Sequence, residues 1–339
     1  MKVIVLGGGV IGVTTAWYLA QDGHEVVILD RQDAVGRETS FANAGYISSG
    51  HCYAWASPRA PLVLLQSLVR KDAALRLKLP PDRRLWGWSL RFLANCTAAR
   101  NRANTLVKLR LCLYSQEQLI ALRADTGIAY DETVRGALYL YRDSAQMEAA
   151  SANAEMLRDN GLDMEVIDPA RCAEIEPALD VTRTRFAGAV YCPTDESGDC
   201  HLFTQRLMEK CAELGVVFQG NTDIRGLTTD GDRITGAETS RETVTGDAYV
   251  LALGSYSPFV GKTIGVRLPI YPVKGYSMTI PVDGRDGAPT VPVLDEHHLI
   301  AFSRFGDRFR MTAAAEFAGA FRRGIAGRRQ AGHVDRDRG

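Results

Sequence analysis

The sequence predicts an α/β protein in which a domain built on a parallel sheet alternates along the chain with a domain of mixed strands. Three observations lead to this prediction. Residues 3–29 follow the pattern strand, helix, strand. Much later, Ala248 to Leu253 forms an almost wholly apolar stretch that stops at a glycine, as buried strands of parallel sheets do. The length of 339 residues also exceeds what one hydrophobic core usually supports.

The N-terminal pattern consists of two apolar strands, Val3 to Leu6 and Glu25 to Leu29, on either side of a helix from Val10 to Asp22. Residues 31–61 then lack a clear periodicity and contain several glycines. This composition predicts a long loop, and a long loop inside a compact protein usually serves a function.

The middle of the chain is predicted to be largely helical. Apolar residues at helical spacing indicate helices over Trp86 to Cys96, Thr105 to Arg123 and Ser144 to Asn160. Ser144 is the expected N-cap of the third helix. Trp86 and Trp88 are expected in the core, with an interface as the alternative.

Strand patterns dominate the second half. Ile224 to Thr229 and Arg233 to Ser240 flank Asp230-Gly231-Asp232, which predicts a hairpin, and strand patterns return after Ile270. We therefore predict a cofactor domain (residues 1–60 and 195–262), a substrate domain (residues 61–194 and 263–318) and an Arg- and Gly-rich tail (residues 319–339).

Composition narrows the function classes. The chain has 40 basic and 40 acidic residues, so its net charge gives no reason to expect a nucleic-acid partner. Seven cysteines without a Cys-x-x-Cys pair favour a reducing compartment, which predicts a cytoplasmic protein. We find no run of eighteen apolar residues and therefore expect no membrane span.

The strongest motif is the G-x-G-x-x-G spacing of Gly7, Gly9 and Gly12 between the first strand and the first helix. These glycines permit a tight turn, close approach of a pyrophosphate and close packing of helix on strand. Asp30 ends the second strand, where its carboxylate can accept hydrogen bonds from a ribose diol and would repel a 2′-phosphate. The pattern predicts a dinucleotide other than NADP.

Two later features favour FAD over NAD. Glu38 to Gly45 is a small, polar loop that can pass close to a flat ring system, and Gly254 ends the buried strand where backbone can approach a cofactor. An NAD-binding dehydrogenase stays the alternative at this point.

With these motifs, the chain resembles the D-amino acid dehydrogenase small subunits, which belong to the FAD-dependent D-amino acid oxidase and glycine oxidase superfamily. The segments that carry the resemblance are Val5 to Gly12, Ala16 to Leu19, Glu38 to Ser40, Ala42 to Gly45, Asp195 to Cys200, Gly254 to Ser257 and Tyr271 to Ser277. The resemblance as a whole runs from residue 1 to about Gly319. The fold that the resemblance implies is a Rossmann-like FAD-binding domain with an interleaved mixed-sheet substrate domain.

The resemblance implies FAD bound without a covalent link. The residues it assigns to the cofactor are Val5, Gly7, Gly8, Gly9, Val10, Ile11, Gly12, Asp30, Arg31, Ser40, Asn43, Ala44, Gly45, Ile224 and Gly254. Of these, Gly7, Gly9, Gly12, Asp30 and Arg31 would hold the ADP half.

The implied reaction is oxidation of a D-amino acid to a 2-oxo acid and ammonium, with hydride transfer to the flavin. Lys274, Tyr276 and His298 are the expected substrate residues, and no catalytic acid or base is assigned. Electrons would pass to a quinone or another respiratory acceptor, and the protein would attach peripherally to the inner face of the plasma membrane.

The chain also departs from the superfamily pattern. We find no Gly-x-Arg-Pro segment of the kind that grips the substrate carboxylate there, and the nearest sequence, Gly265 to Pro269, has a different spacing. After Glu316-Phe317 the resemblance gives way to an Arg- and Gly-rich stretch, which we interpret as a truncated or frameshifted end, with a basic arm as the alternative. A catalytically impaired flavin-binding fragment is therefore the alternative function.

Other polar groups receive structural interpretations. His297 and His298 are expected to point to opposite faces of a strand, which disfavours a shared metal. Asp195, Glu196 and Asp199 are expected to form a turn, with Asp199 capping the next helix, although a cation site is the alternative.

Overall fold

A computed structural model describes residues 1–69, 75–77, 82–180, 186–284 and 287–317. Its first compact unit comprises Met1–Asn43, Asp125–Tyr130 and Asp199–Tyr271. The second comprises the described residues of Ala44–Ala124, of Asp131–Gly198 and from Pro272 onward.

These boundaries differ from the predicted ones. Residues 44–60 and 195–198, assigned above to the cofactor domain, lie in the second unit, and residues 125–130 and 263–271 lie in the first. Residues 319–339, predicted above to form an Arg- and Gly-rich tail, lie outside the described residues.

The helices are α1 (Val10–Gln21), α2 (Ala60–Val69), α3 (Arg83–Ala94), α4 (Ala98–Thr126), α5 (Ser144–Arg158), α6 (Pro169–Ile175), α7 (Cys200–Glu213) and α8 (Ser257–Gly261). Short 3-10 helices cover Ser49–His51, Gly254–Tyr256 and Lys262–Ile264.

The strands are β1 (Lys2–Leu6), β2 (Glu25–Leu29), β3 (Tyr46–Ile47), β4 (Leu75–Leu77), β5 (Ala137–Tyr141), β6 (Glu165–Ile167), β7 (Gly188–Cys192), β8 (Glu196–Ser197), β9 (Val217–Gln219), β10 (Ile224–Asp230), β11 (Arg233–Thr239), β12 (Thr243–Val244), β13 (Ala248–Leu251), β14 (Lys274–Pro281), β15 (Val293–Asp295), β16 (Ile300–Phe305) and β17 (Arg308–Phe317).

The first unit is built on a sheet with the strand order β13-β1-β2-β9, in which neighbouring strands are parallel. Strand β1 lies inside this sheet, with Val3 opposite Ala248 on one side and Val26 on the other. Residues of β1 from Val3 to Leu6 are buried, as expected for a strand covered on both faces. The predicted parallel sheet is confirmed.

A smaller antiparallel sheet, β10-β11-β12, completes the first unit. Gly231 lies at the turn between β10 and β11 with φ +58°, a conformation that glycine adopts without strain. Asp230 pairs with Arg233 across this turn, so the predicted hairpin is present. Apolar side chains from both sheets, among them Leu6, Leu29 and Leu227, form one core.

The second unit is built on a mixed sheet with the strand order β14-β17-β16-β15-β5-β7-β6, and β4 pairs with β17. Its two faces carry separate cores, because alternate residues of a strand point to opposite faces. Tyr139 of β5 belongs to the core that includes α5 residues, whereas Leu138 and Leu140 belong to the core that includes α6 residues.

Two local predictions for the second unit were wrong. Asp143, not Ser144, caps α5, since its side chain accepts the backbone N–H of Gln146. Trp88 packs inward, with its ring 5.4 Å from that of Phe317, but Trp86 is 52% exposed and does not lie in the core. Trp86 and Trp88 are two positions apart on α3, so they cannot face the same way.

Among the helices that the structure describes, none is both long enough and apolar enough to cross a lipid bilayer.

Candidate cofactor-binding site

The turn between β1 and α1 requires glycine at two positions. Gly7 has φ +112°, and a Cβ there would lie 2.6 Å from the carbonyl oxygen of Ala252, just after β13. A Cβ on Gly12 would lie only 1.9 Å from the carbonyl oxygen of Gly7. The absence of side chains therefore lets α1 pack directly on the turn and lets the turn pack on the neighbouring strand.

The N-terminus of α1 carries an uncompensated positive partial charge. Gly9 is the N-cap and supplies no side-chain cap, and the first turn holds no acidic residue. The backbone N–H of Val10 donates to Ser40 Oγ at 3.0 Å. A Cβ on Gly9 would meet only that hydroxyl, at 3.5 Å, so the backbone here is open to close approach. This geometry suits a diphosphate.

A buried carboxylate lies beside the same turn. Asp30 follows β2, is 9% exposed and accepts backbone N–H groups of Gly8 at 2.6 Å and Gln32 at 2.8 Å. Burial raises the pKa of Asp30, while these two hydrogen bonds oppose the rise. An acceptor at this position fits a ribose diol.

Arg31 joins two loops of the first unit. Its guanidinium contacts Glu38 Oε1 at 2.5 Å and lies 4.2 Å from the ring centroid of Tyr256. Tyr256 ends the 3-10 helix that begins at Gly254, so the Gly254 loop is held next to Arg31. The contacts of Glu38 and Tyr256 with Arg31 were not predicted, although both residues lie in segments that carry the resemblance.

The other predicted cofactor residues take different positions. Val5 is buried on β1, and Ile224 is buried at the start of β10. Asn43 ends the first unit, whereas Ala44 and Gly45 belong to the second. The first unit therefore contains thirteen of the fifteen predicted residues, and its donors and acceptors fit a dinucleotide cofactor. The roles of the individual residues stay predictions.

Two of the predicted substrate residues are in contact on the edge strand β14. The ammonium of Lys274 lies 4.9 Å from the ring centroid of Tyr276, and the Tyr276 hydroxyl donates to Glu316 Oε2 at 2.5 Å. Tyr276, Ala313 and Ile300 form one row across β14, β17 and β16. The turn before Ile300 is therefore at the same end of the sheet as Tyr276.

His298 lies in that turn, so the prediction that His297 and His298 occupy a strand was wrong. Asp295 accepts the backbone N–H groups of both histidines and binds the His298 ring nitrogen Nδ1 at 3.0 Å. Partial burial raises the pKa of Asp295, but hydrogen bonds from Arg142 and His298 outweigh this effect and lower the pKa to about 2. An ionised Asp295 thus fixes the turn.

The three acidic residues of the predicted turn, Asp195, Glu196 and Asp199, lie in different environments. Asp199 caps α7 by accepting the N–H groups of His201 and Leu202, as expected. Glu196 pairs with Arg123 at 2.6 Å. In the part of the chain that the structure describes, no group of three or more His, Cys, Asp or Glu side chains could hold a metal ion.

The third acid, Asp195, is fully buried, and its burial was not predicted from the sequence. It accepts hydrogen bonds from the Tyr139 hydroxyl and from the N–H of Gly50 at 3.1 Å. His51 follows Gly50, stacks on the Tyr139 ring and pairs with Glu296 at 2.8 Å. Burial raises the pKa of Asp195, and the donated hydrogen bonds oppose the rise.

Comparisons with known proteins agree with this geometry. The family model described as FAD dependent oxidoreductase (DAO) matches residues 2–337. A protein named D-amino acid dehydrogenase from Paramagnetospirillum magneticum is 48% identical over 320 residues, which cover 94% of this chain and 76% of that protein. A protein of the same name from Allorhizobium ampelinum is 47% identical, with 94% and 76% covered.

The fold has known structural neighbours as well. The crystal structure of glycine oxidase from Geobacillus kaustophilus matches with a TM-score of 0.65 and 22% identity, covering 94% of this chain and 73% of that one. The predicted α/β fold and the predicted cofactor FAD, rather than NAD, are confirmed. Because the family model covers nearly the whole chain and the curated relatives share almost half of its residues, this chain belongs to the DAO family of FAD-dependent oxidoreductases.

Proposed function

We propose that this chain oxidises D-amino acids to 2-oxo acids and ammonium. The observation that carries the proposal is the 46–48% identity, over 94% of the chain, to proteins named D-amino acid dehydrogenase. Bound FAD supplies the chemistry by accepting the hydride from the α-carbon of the substrate.

The first unit would hold the cofactor by its backbone and one carboxylate. The turn of Gly7 to Gly9 and the N-terminus of α1 receive the diphosphate, because their N–H groups and the helix dipole favour an anion. Asp30, just after β2, would accept hydrogen bonds from the ribose hydroxyls. Arg31, held between Glu38 and Tyr256, adds a fixed positive charge beside the ADP half.

The second unit would contribute the substrate residues. Lys274 offers a cation for the substrate carboxylate, and the Tyr276 ring limits where the Lys274 ammonium can lie. His298, fixed by Asp295, offers a further polar group from the same end of the sheet. These roles require positioning rather than proton transfer, since the flavin performs the difficult step.

The test is an anaerobic titration of the flavin-loaded chain with D-alanine. We expect bleaching of the visible flavin absorbance band, no bleaching with L-alanine, and recovery on adding a short-chain quinone faster than on adding oxygen. An unchanged band would favour the alternative of a flavin-binding chain with impaired catalysis. Bleaching followed by recovery only with oxygen would contradict the expectation that electrons pass to a quinone or another respiratory acceptor.

Replacing Asp30 by alanine should weaken FAD binding. A hydrogen bond to a charged acceptor contributes about 1.5–3 kcal/mol, so the dissociation constant should rise roughly ten- to hundredfold. Quenching of free FAD fluorescence during titration with flavin-free protein measures this change. Asp33→Ala is the matched control, because the Asp33 side chain is 69% exposed. Equal affinity of Asp30→Ala and the unmodified chain would refute the assignment of Asp30.

A further inference from the structure

Helix α4 has one face packed inside the second unit and one face exposed. Residues 98–124 of this helix belong to the second unit, and Leu109 is buried in one of its cores. In contrast, Val107 is 46% exposed, Leu111 63% and Tyr114 62%. Spacings of four and three residues place these three side chains on one face of the helix. Large apolar side chains exposed together in this way indicate a surface that another molecule covers.

The exposed face continues in both directions at the spacing of a coiled coil. Steps of three and four residues alternate along it, and its members are the α4 row: Asn104, Val107, Leu111, Tyr114, Gln118 and Ala121. Asn104 and Ala121 are exposed, and Gln118 is half-buried. At a rise of about 1.5 Å per residue, the α4 row is about 26 Å long. This spacing suits a second helix that lies nearly along α4, at a crossing angle of about 20°.

Charge is distributed unevenly along α4. From residue 98 to residue 116 the helix has four basic residues and no acidic one. After residue 116, Glu117 and Asp125 are exposed acids, whereas Arg123 is paired with Glu196 at 2.6 Å. Basic residues near the N-terminus of a helix oppose its dipole, so the stability of α4 alone does not favour this order. Two antiparallel copies of α4 would place the basic half of each beside the acidic half of the other.

Arg110 and Glu117 are the charged residues best placed to pair between two such copies. They are seven positions apart, so they lie on the same side of the α4 row, and both are exposed. Neither has an oppositely charged residue three or four positions away on α4. If Leu111 of one copy lies opposite Tyr114 of the other, a two-fold axis brings Arg110 of each copy close to Glu117 of the other. A parallel pair would instead bring like charges together.

We propose that this chain forms a two-fold symmetric dimer in which the α4 rows of two copies pack antiparallel, with Arg110 of each copy paired with Glu117 of the other. Such a contact uses the same surface on both chains and is closed, so assembly stops at two chains. The contact is too short for a permanent dimer, and we expect the dimer to dissociate on dilution. Dimerisation requires neither substrate nor turnover, so this inference is independent of the proposed function.

Sedimentation equilibrium of the flavin-loaded chain over a range of concentrations tests the proposal. We expect the mean mass to rise from one chain mass to two and not beyond. Leu111→Ala with Tyr114→Ala should raise the dimer dissociation constant at least about tenfold, because each dimer loses four buried side chains. The flavin spectrum and the circular dichroism should stay unchanged. The matched control is Leu90→Ala with Trp86→Ala, which removes a leucine and an aromatic side chain that are 70% and 52% exposed on α3. This control should dimerise like the unmodified chain.

Exchange of the two charges tests the antiparallel orientation. Arg110→Glu alone and Glu117→Arg alone should each raise the dissociation constant about threefold or more, because like charges then meet at both ends of the contact. Both changes in one chain restore the opposite charges and should return the dissociation constant to that of the unmodified chain. High salt should reduce these differences. A single-chain mass at every concentration, equal losses in the Leu111 and Leu90 variants, or a double exchange that stays weakened would overturn the proposal.

Discussion

Replacing Gly12 by alanine should abolish tight FAD binding. The new Cβ would lie 1.9 Å from the carbonyl oxygen and 3.0 Å from the carbonyl carbon of Gly7. Both atoms belong to the backbone, so no side chain can rotate away and α1 must shift from the turn. That shift moves the N–H groups of the helix away from the diphosphate. We expect the dissociation constant of FAD to rise at least about hundredfold, which corresponds to about 2.8 kcal/mol.

Flavin content after purification and titration of the flavin-free chain with FAD both measure this effect. Gly87→Ala is a suitable control, since Gly87 lies within α3 and a Cβ there would meet no atom within 4 Å. Alanine at this position should leave FAD binding unchanged and raise helix stability by up to about 1 kcal/mol. If Gly12→Ala retained the full flavin content, the close packing of α1 on the turn would not be needed for cofactor binding.

Replacing Asp195 by alanine should strongly destabilise the second unit. Asp195 is fully buried and accepts hydrogen bonds from the Tyr139 hydroxyl and the Gly50 N–H. Alanine would leave both donors buried without this acceptor, at about 1–3 kcal/mol each. We expect the free energy of unfolding to fall by about 3 kcal/mol in urea titrations followed by circular dichroism. A loss below about 1 kcal/mol would mean that water or another acceptor replaces the carboxylate.

Asp195→Asn is the matched variant, because it keeps an acceptor oxygen and removes the charge. Burial raises the pKa of Asp195 above its ordinary value near 3.8, so the folded chain binds this proton more tightly than the unfolded chain. Asp195 therefore lowers stability as the pH rises from about 3.8 through the folded-state pKa. Over this interval the stability of Asp195→Asn should improve relative to the unmodified chain, and parallel curves would contradict the raised pKa.

The cofactor turn could be predicted from the sequence because its determinants are local. The apolar strand, the glycine spacing and the terminal acid lie within residues 3–30. The φ of +112° at Gly7 and the close approach of Gly12 to the Gly7 carbonyl both arise within this segment. The hairpin at Gly231 was predictable for the same reason, since its φ of +58° depends on the turn alone.

Features that depend on distant contacts could not be predicted. The burial of Asp195 requires Tyr139 and Gly50, which are 56 and 145 residues away. The sequence pattern of α3 shows apolar residues but not which of its faces the rest of the second unit covers. The turn at His298 directly precedes a strand pattern, and the hydrogen bonds that Asp295 accepts from the His297 and His298 N–H groups are not visible in the sequence.

Because β1 pairs with β13, the parallel sheet cannot be completed until most of the chain has been synthesised. Val3 lies opposite Ala248, and the backbone against which Gly7 packs belongs to Ala252. A ribosome adding about 5–20 residues per second needs on the order of ten to fifty seconds between these segments. Throughout that time one edge of the nascent strand β1 has unpaired backbone N–H and C=O groups. The turn between β1 and α1 also lacks the Ala252 backbone against which Gly7 packs. FAD should therefore be captured late in translation or after release, and chaperones have a long window in which to shield the exposed strand.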